Sequence, residues 1–156
     1  MINLKNGPTA NLNLMIKAEI LPLNNEMNLN ISLLKDTFAI CSLEKNHPIP
    51  HWATEGSFFS ITHTGDELSI VCNEQSVPLG IKSDNGWKCL KVEGPLDFSL
   101  IGIIANISTA LAKEQISVFT VSTYDTDYIL VKSALLDKAI AALSKIGHFI
   151  KLRQYN

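Results

Sequence analysis

The chain lacks a cysteine framework. Its 156 residues include three cysteines, Cys41, Cys72 and Cys89, with no Cys-x-x-Cys spacing. An odd, scattered set excludes a disulfide scaffold or a zinc ribbon. Each stands among apolar or β-branched neighbours, so the expectation is three isolated, buried thiols. An excess of positive charge is also missing. The 13 basic against 15 acidic side chains leave a net charge of -2, which builds no field for nucleic acid or an anionic membrane. No apolar run reaches the roughly 18 residues that a bilayer span needs. Near the N-terminus Lys5 is not followed by an apolar stretch with a small-residue cleavage site, so a cytoplasmic protein is expected. The chain carries no Gly-x-Ser-x-Gly, no phosphate-binding loop and no paired metal ligands. His47 and His51 are spaced i, i+4, but Pro48 and Pro50 forbid the helix that would aim both at a metal. His63 and His148 sit at strand ends. The expectation is a non-enzyme with no metal or cofactor.

What is present is apolar material. Hydrophobic residues make up 46% and charged residues 18%, enough for one packed domain or two small ones. Residues 1–27 are set apart as an N-terminal extension: Asn is frequent, Gly7-Pro8 breaks the chain, and Leu12, Leu14, Ile16 and Ala18 alternate like a short edge strand. Met27 serves equally well as the start of the working molecule.

Residues 28–86 read as a mostly β domain without a long helix. Asn28–Leu34 and Thr37–Leu43 alternate about Lys35-Asp36 and read as a hairpin. His47–Trp52 is an extended proline segment. Ser57–His63 and Glu67–Asn73, joined by Thr64-Gly65-Asp66, read as a second hairpin. Val77–Asn85 has the composition of a connection.

Residues 87–153 read as a second domain in the order β-α-β-β-α-β, a ferredoxin-like unit. Trp87–Glu93 is a strand and 99–114 a helix. Ile116–Thr123 and Thr126–Lys132 pair about Tyr124-Asp125. Ser133 caps a second helix, whose Leu136, Ala139, Ile140 and Leu143 share a face. Gly147 takes the position after it, and His148–Arg153 is the last strand.

The stretch Val92–Gly102 organises the rest. Gly94-Pro95 stops a strand. Leu100, Ile103, Ile104, Ile107 and Leu111 then recur at helical spacing, with the cap-forming types Asp97 and Ser99 just before. Free backbone N–H groups at such a helix end suit a small anion, for example an amino-acid carboxylate. An ordinary strand-to-helix turn with Asp97 as its own cap fits the same residues.

Val92–Ile104 and the hairpin Val121-Ser-Thr-Tyr-Asp-Thr-Asp-Tyr-Ile-Leu-Val131 resemble an ACT domain. With Phe38–Leu43, Gly56–Ile61 and Asp66–Cys72, the resemblance covers about 28–150 and is strongest to the small tandem-ACT proteins related to the CASTOR arginine sensors and to aspartokinase allosteric regions. It implies an α+β fold of tandem ferredoxin-like ACT units, the first degenerate and mostly β. It further implies a regulatory module that binds an amino acid, arginine or another, at the strand-to-helix loop. Carried over residue by residue, the site is Gly94, Asp97, Ser99, Leu100, Ile101, Thr123, Tyr124 and Asp127. The relatives tend to have Phe at the position of Tyr124. A homodimer is expected, paired through the apolar Ile116–Val121 edge, with a regulated partner protein. The alternative is an interaction module with no small ligand, in which Asp125 and Asp127 serve the turn alone.

Overall fold

The computed structural model describes residues 27–97 and 100–152. The alternation expected at Leu12–Ala18 and the candidate Ser99 lie outside these. Eight strands form one branched sheet: β1 Asn30–Leu33, β2 Phe38–Glu44, β3 Ser60–His63, β4 Glu67–Asn73, β5 Ser83–Val92, β6 Phe119–Ser122, β7 Asp127–Lys132 and β8 Phe149–Leu152. Among the described residues two α-helices cover it, α1 Ile103–Lys113 and α2 Leu136–Lys145. Neither is long or apolar enough to cross a membrane.

The spine is β5. On one edge it pairs with β7, Trp87 opposite Lys132 and Lys91 opposite Tyr128. On the other edge two strands follow end to end. β1 lies against its C-terminal part, Ile31 opposite Val92 and Leu33 opposite Leu90. β2 lies against its start, Phe38 opposite Trp87 and Cys41 opposite Ser83. The expected hairpin of β1 with β2 is therefore absent. Lys35-Asp36 bends the chain without reversing it, and the ammonium of Lys88 holds the bend through the Lys35 and Asp36 carbonyls at 3.0 and 3.3 Å. The physical reason is burial: Ile31 and Leu33 belong to the core under the helices, which a β1–β2 hairpin would deny them.

The β5-α1-β6-β7-α2-β8 unit has the expected ferredoxin-like order, with β1 inserted between its last and first strands. β1 runs parallel to β8 and antiparallel to β5. The first unit, β2, β3 and β4, has no α-helix among its described residues. The β3–β4 hairpin forms as expected, Ser60 opposite Val71, and Thr64 Oγ1 accepts the N–H groups of Asp66 and Glu67 in its turn. The boundary expected between residues 86 and 87 falls inside β5, which starts at Ser83 rather than Trp87.

Alternation along the spine sorts the core. Leu90 and Val92, with Ile129 and Val131, face α1 and α2, where Ile107, Leu111, Ala139 and Leu143 meet them. Each such fully buried valine, leucine or isoleucine contributes about 1.5–3 kcal/mol. Trp87, Cys89 and Leu130 face the other way, onto Phe38 and Val71. A third cluster sets Cys41 and Cys72 with Ala53, Leu68 and Ile70 under Trp52. Cys41 and Cys72 are thus not isolated. They are diagonal across the β2–β4 pair, since Cys41 faces Ile70 and Cys72 faces Ala39. The neighbouring Cys41 thiol, with burial, raises the Cys72 thiol; burial alone raises Cys89.

Helix ends depart from expectation at the N-terminal side. The first helix begins at Ile103, not near residue 99, because Gly102 takes a left-handed φ of 86° that turns the chain into it. Asp97 is not its cap. Ser133 opens a 3-10 turn ahead of α2, and its hydroxyl donates to the Gly86 carbonyl instead of capping. The C-terminal ends are alike. After α2, Gly147 N–H donates to Ser144 and His148 N–H to Leu143, with Gly147 at φ +97°, a Schellman motif. After α1, Gln115 does the same work at φ 59°.

Candidate functional site

The strand end of β5, the loop into α1 and the β6–β7 turn converge at one end of the sheet. Three contacts join loop to turn. Leu96 N–H donates to the Asp125 carbonyl at 2.8 Å. The hydroxyl of Thr126, which is only 6% exposed, donates to the Val92 carbonyl. A Cβ on Gly94 would stand 2.4 Å from the Asp125 oxygen, so only glycine permits this approach. Gly94 serves contact with the hairpin backbone, a different role from the expected close approach to a ligand.

Within the turn, Thr123 N–H and Oγ1–H both donate to the Thr126 carbonyl, at 2.8 and 2.9 Å, and Thr126 N–H returns to Thr123 Oγ1 at 3.3 Å. Ser122 Oγ donates to Asp127 Oδ1 at 2.5 Å, which ties that carboxylate to the neighbouring strand β6.

A cavity of about 340 Å³ opens between these pieces. Leu96, Asp97, Leu100 and Gly102 line it from the loop, Ile103, Ile104 and Ala105 from the first turn of α1, and Ser122, Thr123, Tyr124, Thr126 and Asp127 from the hairpin. No Lys, Arg or His is among these residues. The first intrahelical bond is Asn106 N–H to the Gly102 carbonyl, and the N-cap residue Gly102 has no side chain with which to cap the helix. The N–H groups of Ile103, Ile104 and Ala105 therefore have no acceptor within the helix, and these three residues line the cavity. A second hollow of about 350 Å³, between Glu44–Asn46 and Gly65-Asp66, lies at the turns of the first unit and has no helix end.

Of the candidate residues, Asp97, Leu100, Thr123, Tyr124 and Asp127 come together on the cavity wall. Gly94 and Ile101 do not line it, and Leu100 N–H is taken by the Asp97 carbonyl at 2.9 Å. The helix turn at the cavity is therefore Ile103–Ala105, displaced from the expected Ser99–Ile101. Sequence reasoning missed Ser122 and Thr126. A hydroxyl at the inward position next to a turn was the available signal for Thr126. Around the cavity Leu100, Ile101 and Tyr124 are 46%, 82% and 79% exposed.

A β-α-β-β-α-β unit with its cavity at the first strand-to-helix loop defines a ferredoxin-like domain of the ACT class. Residues 82–145 match the family model of the ACT domain, and a further N-terminal-domain model matches 36–79. The solved structure of protein Atu0741 from Agrobacterium tumefaciens is 37% identical, with a TM-score of 0.78, over 83% of this chain and 97% of that one. The aspartate kinase of Clostridium acetobutylicum is similar in fold alone, 18% identical with a TM-score of 0.57, over 74% of this chain and 34% of the kinase. Human CASTOR3P is 35% identical over 92 residues, 50% of this chain; the match spans 56% of the length of that protein. Residues 82–145 of this chain form an ACT domain.

Proposed function

We propose that this protein is a regulatory module that binds an amino acid in the cavity between the α1 loop and the β6–β7 turn. One observation carries the reading: Asp97, Asp127 and the first turn of α1 line the same cavity. The helix end suits an α-carboxylate. The carboxylates suit an ammonium or guanidinium through charge-assisted hydrogen bonds. Such a wall reads both ends of an amino acid, and a basic one such as arginine is the first to test. Ligand occupancy would act by favouring one arrangement of the units, without catalysis.

The working form proposed is a cytoplasmic homodimer that regulates a partner protein. Among the described residues β6 pairs only with β7, which leaves an edge to be covered. Light scattering should return about twice 17.2 kDa; a single mass of one chain at all concentrations removes the dimer.

Thermal unfolding against each amino acid tests the site. A ligand at about a hundred times its Kd adds roughly 2.7 kcal/mol, a rise of several degrees. The rise should be confined to one or two amino acids and lost in Asp127→Ala. The exposed Leu100, Ile101 and Tyr124 favour a second reading, an interaction module with no small ligand. It predicts no rise with any amino acid and partner binding that survives Asp127→Ala.

A further inference from the structure

Thr126 is one of three buried polar residues among those described, with Ser32 and His148. Its hydroxyl spans from the hairpin to the end of β5 at Val92, while its own N–H and carbonyl close the turn on Thr123. The neighbouring Asp125 carbonyl takes the Leu96 N–H. The residues that follow these two clamps are Asp127 and Asp97. Each carboxylate of the cavity thus sits directly after a residue that locks loop to hairpin.

We infer that Thr126 is a positioning residue: its hydroxyl, bonded to the Val92 carbonyl, fixes the gap between the Asp97 loop and the Asp127 strand and so sets the affinity of the cavity for its ligand. The consequence for affinity rests on the function proposed above; the clamp itself does not. Thr126 stands just ahead of β7 and its hydroxyl proton is spent on the Val92 carbonyl, so the hydroxyl can act on the gap without donating to the ligand. A valine there keeps the shape and loses the bond, leaving the buried Val92 carbonyl short of a partner. A serine keeps the bond.

Two measurements on Thr126→Val, Thr126→Ser and the unaltered chain test this. The first needs no ligand: hydrogen exchange at the Leu96 amide. Its protection should fall by about tenfold or more in the valine variant, stay within about threefold in the serine variant, and leave amides of the β3–β4 hairpin unchanged. The second is calorimetric titration with L-arginine, L-lysine and neutral L-amino acids, at a temperature where each variant is folded. The valine variant should bind about tenfold more weakly and the serine variant nearly as the unaltered chain.

Equal Leu96 protection in a folded valine variant overturns the clamp. So does a serine variant as weak as the valine one. Loss of protection without loss of affinity overturns the link to binding. If the unaltered chain binds none of these amino acids, the function proposed above fails, and the exchange result alone decides the clamp.

Discussion

Phe58 stacks on Tyr128, their ring centroids 4.4 Å apart and their planes 25° from parallel. Phe38 meets Phe58 edge-on, their centroids 5.6 Å apart. The loop before β3 is thereby pinned to β7, and the first unit to the second. Phe58→Ala should cost about 2 kcal/mol, less than a fully buried phenylalanine because the ring is half-buried. Urea unfolding should show the midpoint fall with a single transition retained. A split into two transitions would mean that this stack holds the units together.

Gln115 occupies the left-handed position after α1 that glycine fills after α2. A side chain there costs about 1 kcal/mol, which glycine avoids. Gln115→Gly should raise the melting temperature by a few degrees. An unchanged or lower midpoint shows that glycine's extra unfolded-state entropy cancels the relief.

His148 is 3% exposed, with Nε2 3.0 Å from Asn106 Oδ1 and Nδ1 3.4 Å from the Leu29 N–H. Burial holds its imidazole below the usual histidine range, and the Met27 carbonyl opposes this more weakly. The unfolded chain takes up the proton first, near pH 6.5. Below that pH the unfolded state binds more protons than the folded one, so stability falls as pH drops toward the lower folded value. Above about pH 6.5 this contribution is fully present and flat. The slope from this one group is at most about 1.4 kcal/mol per pH unit. Denaturation of His148→Gln from pH 5 to 8 should lack that part of the slope; an identical slope removes the assignment.

Gly94→Ala forces a Cβ to 2.4 Å from the Asp125 carbonyl and 3.2 Å from the Leu96 nitrogen. Both atoms are backbone and cannot step aside as a side chain would. The loop must leave the hairpin, at about 2 kcal/mol. Denaturation and the Leu96 amide's exchange should report the loss together. A variant as stable as the parent would show that the loop yields freely.

Much of the fold was legible because it depends on near neighbours. Ile103, Ile107 and Leu111 mark α1 by spacing alone, and Gly147 marks the end of α2. The alternation of Glu67–Asn73 gives β4. The start of α1 was misread because Leu100 continues the apolar spacing, whereas Gly102 in a left-handed conformation stops the helix short of it. Asp97, Thr123 and Asp127 were legible as site candidates only through resemblance, since no local pattern brings residue 97 to residue 127.

The sequence by itself determined the elements, their order and the apolar faces, because these follow from propensities and periods within a few residues. Tertiary structure alone decided the partners. The alternation of Asn28–Leu34 is equally satisfied by a hairpin with β2 or by insertion between β5 and β8, and burial of Ile31 and Leu33 under two helices selects the second. Cys41 and Cys72 became neighbours through the β2–β4 register, and Thr126 met Val92 through the β5–β7 register. Each of these contacts joins residues more than thirty positions apart, where no local preference acts and only the packed core fixes the distance.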